Sequence, residues 1–307
     1  MVLGAIPQFV PGETLEVERP NRSKPHAGKV LAAIQAHADD IPFFCGGTVA
    51  KLVHEGYTAY LIQTTNDDKC GPTPSLGETV LSNEREVERM ARALGFSATF
   101  NLGYRNHFLD GESVLELRCR LVYLIRRLKV DTILTFNPRV EGERNPDHWM
   151  TGQAAEAASW MAGMDKDYPE QLSDTIRPHT VRDLYFWVAR HGQPCNRVVD
   201  IGAHIDQLVE AMSANKSQGP AGSSGSSLRK RLAAQGQRLP QLEENGADDE
   251  SVDRAYIRLF LLRTFQELGR RHGVEYAEPF YYVRPGDASR INRDVDAFVT
   301  QHAVPLS

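Results

Sequence analysis

Cysteine is scarce in this sequence, and the few that occur lie far apart. They are Cys45, Cys70, Cys119 and Cys195, and none belongs to a Cys-x-x-Cys pair. This spacing indicates neither a disulfide framework nor a thiolate zinc site. Because disulfides are rare in reducing compartments, we expect a cytoplasmic protein.

Long apolar runs and blocks of one charge are also missing. No apolar stretch approaches the roughly 20 residues that a membrane-spanning helix needs, and the N-terminus has neither the charged start nor the apolar centre of a signal peptide. The chain has 35 basic and 40 acidic residues without a basic block, which argues against a nucleic-acid surface. We therefore expect no membrane span and no nucleic-acid partner.

The chain of 307 residues is long enough for one large domain. Residues 1–27 hold several prolines and charges without periodicity, so we interpret them as an irregular N-terminal arm and residues 28–307 as a single domain. Residues 213–250 are rich in Ser, Gly, Gln and charge, which predicts a flexible insertion. A lid over the site and a contact in a homo-oligomer are the alternatives for that segment.

Predicted strands alternate with predicted helices along most of the domain. Short apolar or β-branched runs indicate strands at 29–34, 57–65, 98–102, 131–136, 183–188 and 275–283. Helical spacing predicts helices at 84–94 and 113–128, among others. The alternation predicts an α/β fold with a Rossmann-like, mostly parallel sheet and helices on both faces.

The first predicted strand ends in one imidazole and two adjacent carboxylates. His37, Asp39 and Asp40 follow the strand and precede a helical stretch, and ligand sites of parallel sheets collect at this end of the strands. A divalent cation prefers imidazole nitrogens and anionic oxygens from a fixed turn. If His37 and Asp40 hold one ion, Asp39 is close enough to accept a proton from water that the ion activates.

A second loop of the same kind offers the missing ligand. The segment Asn145-Pro146-Asp147-His148 follows the strand predicted at 131–136 and precedes another helix. His148 would complete a site of two histidines and one carboxylate, which leaves coordination positions open for water and substrate. We therefore predict a catalytic metal site at the C-terminal ends of the strands.

These motifs resemble the LmbE-like (PIG-L) family of zinc-dependent N-deacetylases, over roughly residues 28–283. The resemblance rests first on His37-x-Asp39-Asp40 and Pro146-Asp147-His148. Three weaker matches follow in order: Val199-Asp200-Ile201, Asn215-Lys216-Ser217-Gln218 and Ala277-Glu278-Pro279-Phe280. Ala38 and Ile41 depart from the family's usual His-Pro-Asp-Asp-Glu pattern, and Asn145 stands where many members carry the first histidine of a His-x-Asp-His motif.

The resemblance implies roles for the matched residues. His37, Asp40 and His148 would hold Zn²⁺ or another divalent metal, and Asp39 would be the general base. Asn145 takes the place of a histidine that stabilises an oxyanion or protonates the leaving amine. An amide can donate a hydrogen bond to an oxyanion but cannot supply a proton. Asp39 would then return its proton to the leaving nitrogen, with His107 and His191 as further candidate acids.

Contacts with substrate are expected from the surrounding loops and one helix. By resemblance, Arg85 or Asn83 would reach the site from the helix at 84–94, and Asn106 or Asp110 would contact sugar hydroxyls. Arg139 and Arg144 flank the second loop and can meet an anionic group. The predicted substrate contacts are Arg85, Asn106, His107 and Arg139.

The function implied is hydrolysis of the acetamide of an N-acetylated amino sugar or its conjugate, a small molecule. A related alternative is an amidase acting on a larger sugar-thiol or natural-product amide. A different class is a non-catalytic sugar-binding protein that retains the metal site. An iron(II) oxygenase site shares the ligand set, but Asp39 beside it favours hydrolysis. A final alternative is that the motif has no chemical role and that His37, Asp39 and Asp40 merely cap the following helix.

Overall fold

The computed structural model describes residues 8–9, 15–71, 75–139, 142–284 and 290–305. Residues 1–7 and 10–14 of the predicted N-terminal arm lie outside the described residues. The strands are β1 (Gln8–Phe9), β2 (Glu16–Glu18), β3 (Val30–Gln35), β4 (Thr58–Thr65), β5 (Ala98–Tyr104), β6 (Thr132–Phe136), β7 (Asp183–Trp187), β8 (Pro194–Cys195), β9 (Arg197–Asp200) and β10 (Ala277–Val283). The helices are α1 (Asp40–Phe44), α2 (Gly46–His54), α3 (Leu76–Leu94), α4 (Val114–Leu128), α5 (Pro146–Met161), α6 (Ile205–Ala214), α7 (Ser224–Ala234), α8 (Asp249–Tyr256), α9 (Arg263–Arg271) and α10 (Arg290–His302).

Eight of these strands form one sheet in the order β2-β9-β10-β7-β6-β3-β4-β5. The pairs of β3 with β4 and with β6, of β4 with β5, and of β6 with β7 are parallel. Strand β10 alone runs antiparallel to its neighbours β7 and β9. The mostly parallel α/β fold predicted from the sequence is confirmed.

Alternate side chains of the central strands enter two separate cores, one on each face of the sheet. In β3, Leu31 and Ala33 join the core built with α2, α3 and α6. The intervening Ala32 and Ile34 join the core built with α4 and α5. Because both faces of β3 are covered, its sequence is a continuous apolar run, as parallel strands require. The loop that follows β3 therefore begins on a strand packed on both faces.

The N-terminal arm is not irregular throughout. Strand β2 pairs in parallel with β9 and forms one edge of the large sheet. Glu18 of this strand accepts a hydrogen bond from Lys51 Nζ at 2.7 Å and another from Arg197 Nη1 at 2.9 Å. The sequence hid this strand because only three residues take part and two of them are charged. Ion pairs with two buried cations hold it in place, together with the packing of Val17 against a small apolar cluster.

The segment predicted as a flexible insertion, residues 213–250, contains helical structure. Helix α7 lies within it and packs against α8, and both Ala221 and Leu242 are buried. Ser226 N donates to Asp253 Oδ1 at 2.7 Å. The low apolar content that suggested flexibility is offset by such polar contacts, so the segment forms part of the folded domain.

Helix α3 begins earlier than the sequence indicated. Ser75 is its N-cap and accepts a hydrogen bond from Glu78 N at 3.3 Å, so residues 76–83 are helical instead of belonging to a long loop. None of the described helices combines the length and apolar character that a bilayer crossing requires.

Helix α5, which carries the second candidate metal loop, is fixed at its far end by a buried arginine. Arg126 is 1% exposed, and its Nη2 donates to Met164 O and Asp167 O, each at 2.7 Å. Its Nε donates to Ala162 O at 3.1 Å. A guanidinium has five donors and suits a cluster of carbonyls at a helix C-terminus.

Candidate metal centre

Two loops meet at the carboxyl edge of the sheet because β3 and β6 are parallel neighbours. One loop carries His37 and the other carries His148. His37 Nδ1 lies 3.0 Å from His148 Nε2, and both rings are buried. Two ring nitrogens this close, each held in place by other contacts, converge on one point between the loops.

Asp40 supplies an oxygen to the same point. Its Oδ2 accepts hydrogen bonds from His37 N at 2.7 Å and Ala36 N at 3.0 Å. Its Oδ1 is fully buried without a hydrogen-bond partner among the described residues and lies 3.5 Å from His148 Nε2. One ligand atom from each of His37, Asp40 and His148 lies within 4.8 Å of the others. An orphaned carboxylate oxygen between two imidazole nitrogens fits a divalent cation.

A second carboxylate stands behind each imidazole. Asp147 Oδ2 lies 3.0 Å from His37 Nε2, and Glu143 Oε2 lies 3.0 Å from His148 Nδ1. When these outer nitrogens carry the protons, the inner nitrogens are left free to bind a cation. Such carboxylate–imidazole pairs orient metal ligands in proteins and raise their basicity.

Charge in the cluster favours a cation. Burial lowers the pKa of His37, but its hydrogen bond to Asp147 and the carboxylates of Asp67 and Asp40 outweigh burial and raise that pKa to about 10. Burial lowers the pKa of His148 to about 4 and raises that of Asp40 well above its usual range. Carboxylates buried this close together favour a positive charge beside them, either a proton on His37 or a bound cation.

Glu143 was not identified from the sequence. Burial acts to raise its pKa, but the hydrogen bond from His148 and the charge of Arg190 lower it to about 2. Arg190 Nη2 lies 2.9 Å from Glu143 Oε2, so the carboxylate is held from both sides. The sequence shows only an acidic residue two positions before Asn145. Its contact with His148 depends on the loop folding back over that side chain, which no local pattern predicts.

Asp39 borders the cluster and faces the cavity. Its side chain is 5% exposed, and burial together with the nearby carboxylate of Asp67 raises its pKa to about 6. Although Asp39 occupies the N-cap position of α1, its side chain makes no capping hydrogen bond to the described backbone. The alternative that Asp39 serves only as a helix cap is therefore wrong, and a carboxylate with this pKa suits proton transfer near neutral pH.

Asn145 is the N-cap of α5. Its Oδ1 accepts a hydrogen bond from Asp147 N at 3.0 Å, which leaves Nδ2 as a donor. The residue also lines the cavity above the cluster. Its amide is thus held in place by the helix start.

A cavity of about 940 Å³ opens above the cluster. Its walls include four residues of the two loops, namely His37, Asp39, Asn145 and His148, and further walls come from more distant segments of the chain. The other lining residues are Cys70, His107, Gly142, Glu143, Arg144, Ala189, Arg190, His191, Gln218, Gly219 and Pro220. This volume is near the upper end of ordinary ligand pockets, so it is far larger than an acetyl group needs.

Of the four predicted substrate contacts, the structure brings only His107 to the cavity wall. Arg85 is exposed on α3 and is not among the cavity-lining residues. Asn83, the other candidate on that helix, is buried, and its Nδ2 donates to Cys70 O at 2.7 Å. The helical period contained the signal, because Asn83 lies four residues before Val87 on the buried stripe.

Asn106 and Arg139 also lie away from the cavity wall. Asn106 is fully buried, and its Nδ2 donates to Asp67 Oδ1 at 3.0 Å. Arg139 is exposed, with its guanidinium 5.2 Å from the centre of the Tyr281 ring. An exposed loop arginine on an aromatic face is stabilised there without any ligand.

Asp67 is a further residue that sequence analysis missed. Its Oδ2 accepts hydrogen bonds from Ala38 N at 2.7 Å and Gln218 Nε2 at 3.0 Å. Together with the bond from Asn106, these contacts join the loops after β3, β4 and β5 to residue 218. A short sequence motif does not predict the role of Asp67, because its hydrogen-bond partners are far apart along the chain.

The fold and this cluster define an α/β protein in which two histidines and one carboxylate able to hold a metal ion lie at the carboxyl edge of a mostly parallel sheet. Residues 32–159 match the family model described as PIG-L, GlcNAc-PI de-N-acetylase. The resemblance drawn from the motifs is confirmed over residues 32–159, which match a PIG-L family domain.

Three similar proteins cover larger parts of the chain. Diacetylchitobiose deacetylase of Thermococcus kodakarensis is 29% identical over 201 residues, which are 62% of this chain and 71% of that protein. The N,N'-diacetylchitobiose deacetylase structure from Pyrococcus horikoshii has a TM-score of 0.65 and 21% identity, and covers 91% of this chain and 88% of that one. A conserved protein of Thermus thermophilus has a TM-score of 0.60 and 27% identity, with 84% of this chain and 96% of that one covered.

Proposed function

We propose that this protein is a metal-dependent hydrolase that removes the acetyl group from an N-acetylated amino sugar or its conjugate, with Zn²⁺ as its ion. The observation that carries the proposal is the buried cluster of His37, Asp40 and His148, with Asp39 beside it at the floor of an open cavity. The name of the Thermococcus relative, diacetylchitobiose deacetylase, supports the choice of an N-acetylated sugar.

The ligand set itself supports zinc. Neutral imidazole and carboxylate ligands, three from the protein, are typical of catalytic zinc sites that keep coordination positions open. A cation bound there would polarise the amide carbonyl and lower the pKa of water toward about 7. His37 and His148 are oriented for this by Asp147 and Glu143, at 3.0 Å in each case.

Asp39 is the proposed acid and base. Its carboxylate takes one proton from the attacking water as the new carbon–oxygen bond forms. When the carbon–nitrogen bond breaks, the same carboxyl group returns that proton to the departing nitrogen. Water is the only co-reactant, and the products are acetate and an amine. A group with a pKa of about 6 can exchange a proton in both directions near neutral pH.

Asn145 is the proposed hydrogen-bond donor to the carbonyl oxygen as negative charge develops there. The hydrogen bond from Asp147 N fixes its Oδ1, which leaves Nδ2 for the substrate. Donors that are already oriented stabilise such charge without reorganisation. A role in proton donation is excluded by the chemistry of an amide.

The size of the cavity favours one alternative in the same chemistry, an amidase that cleaves a larger amide. A space of about 940 Å³ accommodates more than one sugar ring and its acetyl group. Both reactions use the same residues, so the substrates must be compared directly.

The test is metal analysis of the purified protein combined with an assay for released acetate and amine. The panel contains N-acetylglucosamine, N,N'-diacetylchitobiose and a longer-chain N-acyl glucosamine. We expect about one zinc ion per chain, activity that a chelator abolishes, and recovery when zinc is added back. A zinc-loaded protein that binds these sugars but cleaves none of them would instead support the non-catalytic sugar-binding alternative.

A further inference from the structure

We infer that His107 contacts the acyl group of the substrate and donates a hydrogen bond to its carbonyl oxygen, as a second donor beside Asn145. The inference rests on the proposed function, and it concerns a side chain outside the two metal motifs. His107 follows β5, on a third loop that reaches the same cavity.

The position of His107 is fixed by the carboxylate that also orients a metal ligand. Its backbone N–H donates to Asp147 Oδ2 at 2.6 Å, the same oxygen that lies 3.0 Å from His37 Nε2. Leu109 N donates to the other oxygen of Asp147 at 3.1 Å. One buried carboxyl group therefore sets the distance between His107 and the ligand cluster.

The imidazole of His107 lies next to the cluster without belonging to it. Its ring centre is 6.1 Å from that of His37, in an edge-on arrangement at 73°. The side chain is exposed and lines the cavity. At this separation the two rings are in edge-to-face contact, so an amide carbonyl bound at the ligand cluster would lie beside the His107 ring. A neutral imidazole always has one N–H to donate to it.

The backbone of His107 indicates that its side chain matters. Its φ is +62°, in the left-handed region that glycine adopts without steric cost. The hydrogen bond to Asp147 needs only the backbone, so a glycine would make the same turn with less strain. Strained residues that persist are concentrated at functional sites, and here the strained residue presents an imidazole to the cavity.

The test compares His107→Gly with Lys129→Gly. Lys129 is also exposed and has φ +57°, but it ends helix α4, outside the cavity wall. Removing strain alone should leave kcat unchanged in Lys129→Gly. We expect His107→Gly to keep its zinc content and thermal stability while kcat falls about 100-fold to 1000-fold, as for loss of an oxyanion donor.

Two further measurements separate contact with substrate from a structural role. Added imidazole should restore part of the activity of His107→Gly and none in the wild type or Lys129→Gly, because it can enter the space that the side chain leaves. Acetohydroxamate, a small carbonyl ligand, should bind zinc-loaded His107→Gly at least tenfold more weakly than wild type in calorimetry.

Failure of the proposed function and failure of the inference about His107 give different results in these experiments. Wild-type protein that cleaves no acetamide would contradict the proposed function, and acetohydroxamate binding would still test His107. If His107→Gly keeps kcat within threefold of wild type, or binds acetohydroxamate equally well, the inference is overturned. Loss of zinc from His107→Gly without rescue by imidazole would also overturn it, in favour of a purely structural residue.

Discussion

Gly219 lies directly against the side chain of Asp39. A Cβ atom added at position 219 would lie 3.0 Å from Asp39 Oδ2 and 2.7 Å from Phe43 Cε2. Its φ of +75° is also one that other residues adopt only with strain. The segment predicted to be a flexible insertion thus forms one wall of the space around the proposed catalytic base.

The substitution Gly219→Ala should therefore reduce both stability and activity. We expect the free energy of unfolding to fall by about 1–3 kcal/mol from overpacking, with displacement of Asp39 and a lower kcat. Gly236→Ala is the matched control, since Gly236 has φ +66° and no described atom within 4 Å of an added Cβ. Equal effects of the two substitutions in denaturant unfolding and acetate-release assays would mean that contact with Asp39 is unimportant.

Asp39→Asn should abolish most turnover while leaving the ion bound. The amide keeps the shape of the side chain but cannot take a proton, and general-base catalysis contributes about 10²–10⁴ in rate. Because the predicted ligands are His37, Asp40 and His148, zinc content measured by mass spectrometry should match wild type. Unchanged kcat in this variant would remove Asp39 from the proposed mechanism.

Glu143→Gln should weaken ion binding. The substitution removes the carboxylate that holds His148 Nδ1 at 3.0 Å, and loss of such an outer partner lowers metal affinity about 10-fold to 100-fold. Zinc affinity is measured by competition with a chromogenic chelator. Glu116→Gln, which removes an equal charge from a side chain 58% exposed on α4, controls for net charge. Equal affinity in both variants would contradict the role of Glu143.

Stability should fall as the pH rises from about 4.5 to about 7 because of Glu278. This carboxyl group is fully buried, and burial raises its pKa to about 7 from an ordinary value of 4.5. A folded pKa above the unfolded one means that stability is greatest below about 4.5 and declines until the pH exceeds the folded pKa.

A pKa shift of this size corresponds to a loss of at most roughly 3 kcal/mol in the free energy of unfolding. Gly47 N and Thr48 N at the start of α2 donate to the anion at 2.9 and 2.8 Å, which limits the loss. Glu278→Gln should reduce the difference between the unfolding free energies at pH 5 and pH 8. The comparison uses urea unfolding of both proteins at both pH values. An identical pH dependence in the variant would show that Glu278 keeps an ordinary pKa.

The sequence predicted those parts of the site that lie at the ends of strands. Apolar runs followed by polar turns marked the loops of His37 and His148, and parallel strands then required the loops to meet. Local pattern was sufficient there because each loop belongs to one strand–turn–helix unit. Strand β10 shows the limit, since nothing in its composition revealed that it runs antiparallel.

The residues that support the site could not be found in the same way. Asp67, Glu143 and Arg190 act through contacts with segments 29 to 151 positions away or through a loop that folds back. Their side chains are ordinary polar residues until the tertiary structure brings the partners together. Resemblance left Asn83 and Arg85 as alternatives near the start of α3, and in the structure Asn83 is buried whereas Arg85 is exposed.

The hydrogen bonds of Arg126 to the carbonyl groups at the end of α5 link a residue far from the site to a predicted metal ligand. The helix has 16 residues and is therefore about 24 Å long, with the guanidinium at its C-terminal end and the turn that bears His148 at its N-terminal end. Because α5 is one continuous helix, a movement of one end is transmitted to the other. Replacing Arg126 would free the C-terminal end of α5 and shift its N-terminal turn, so a substitution far from every predicted ligand would weaken metal binding.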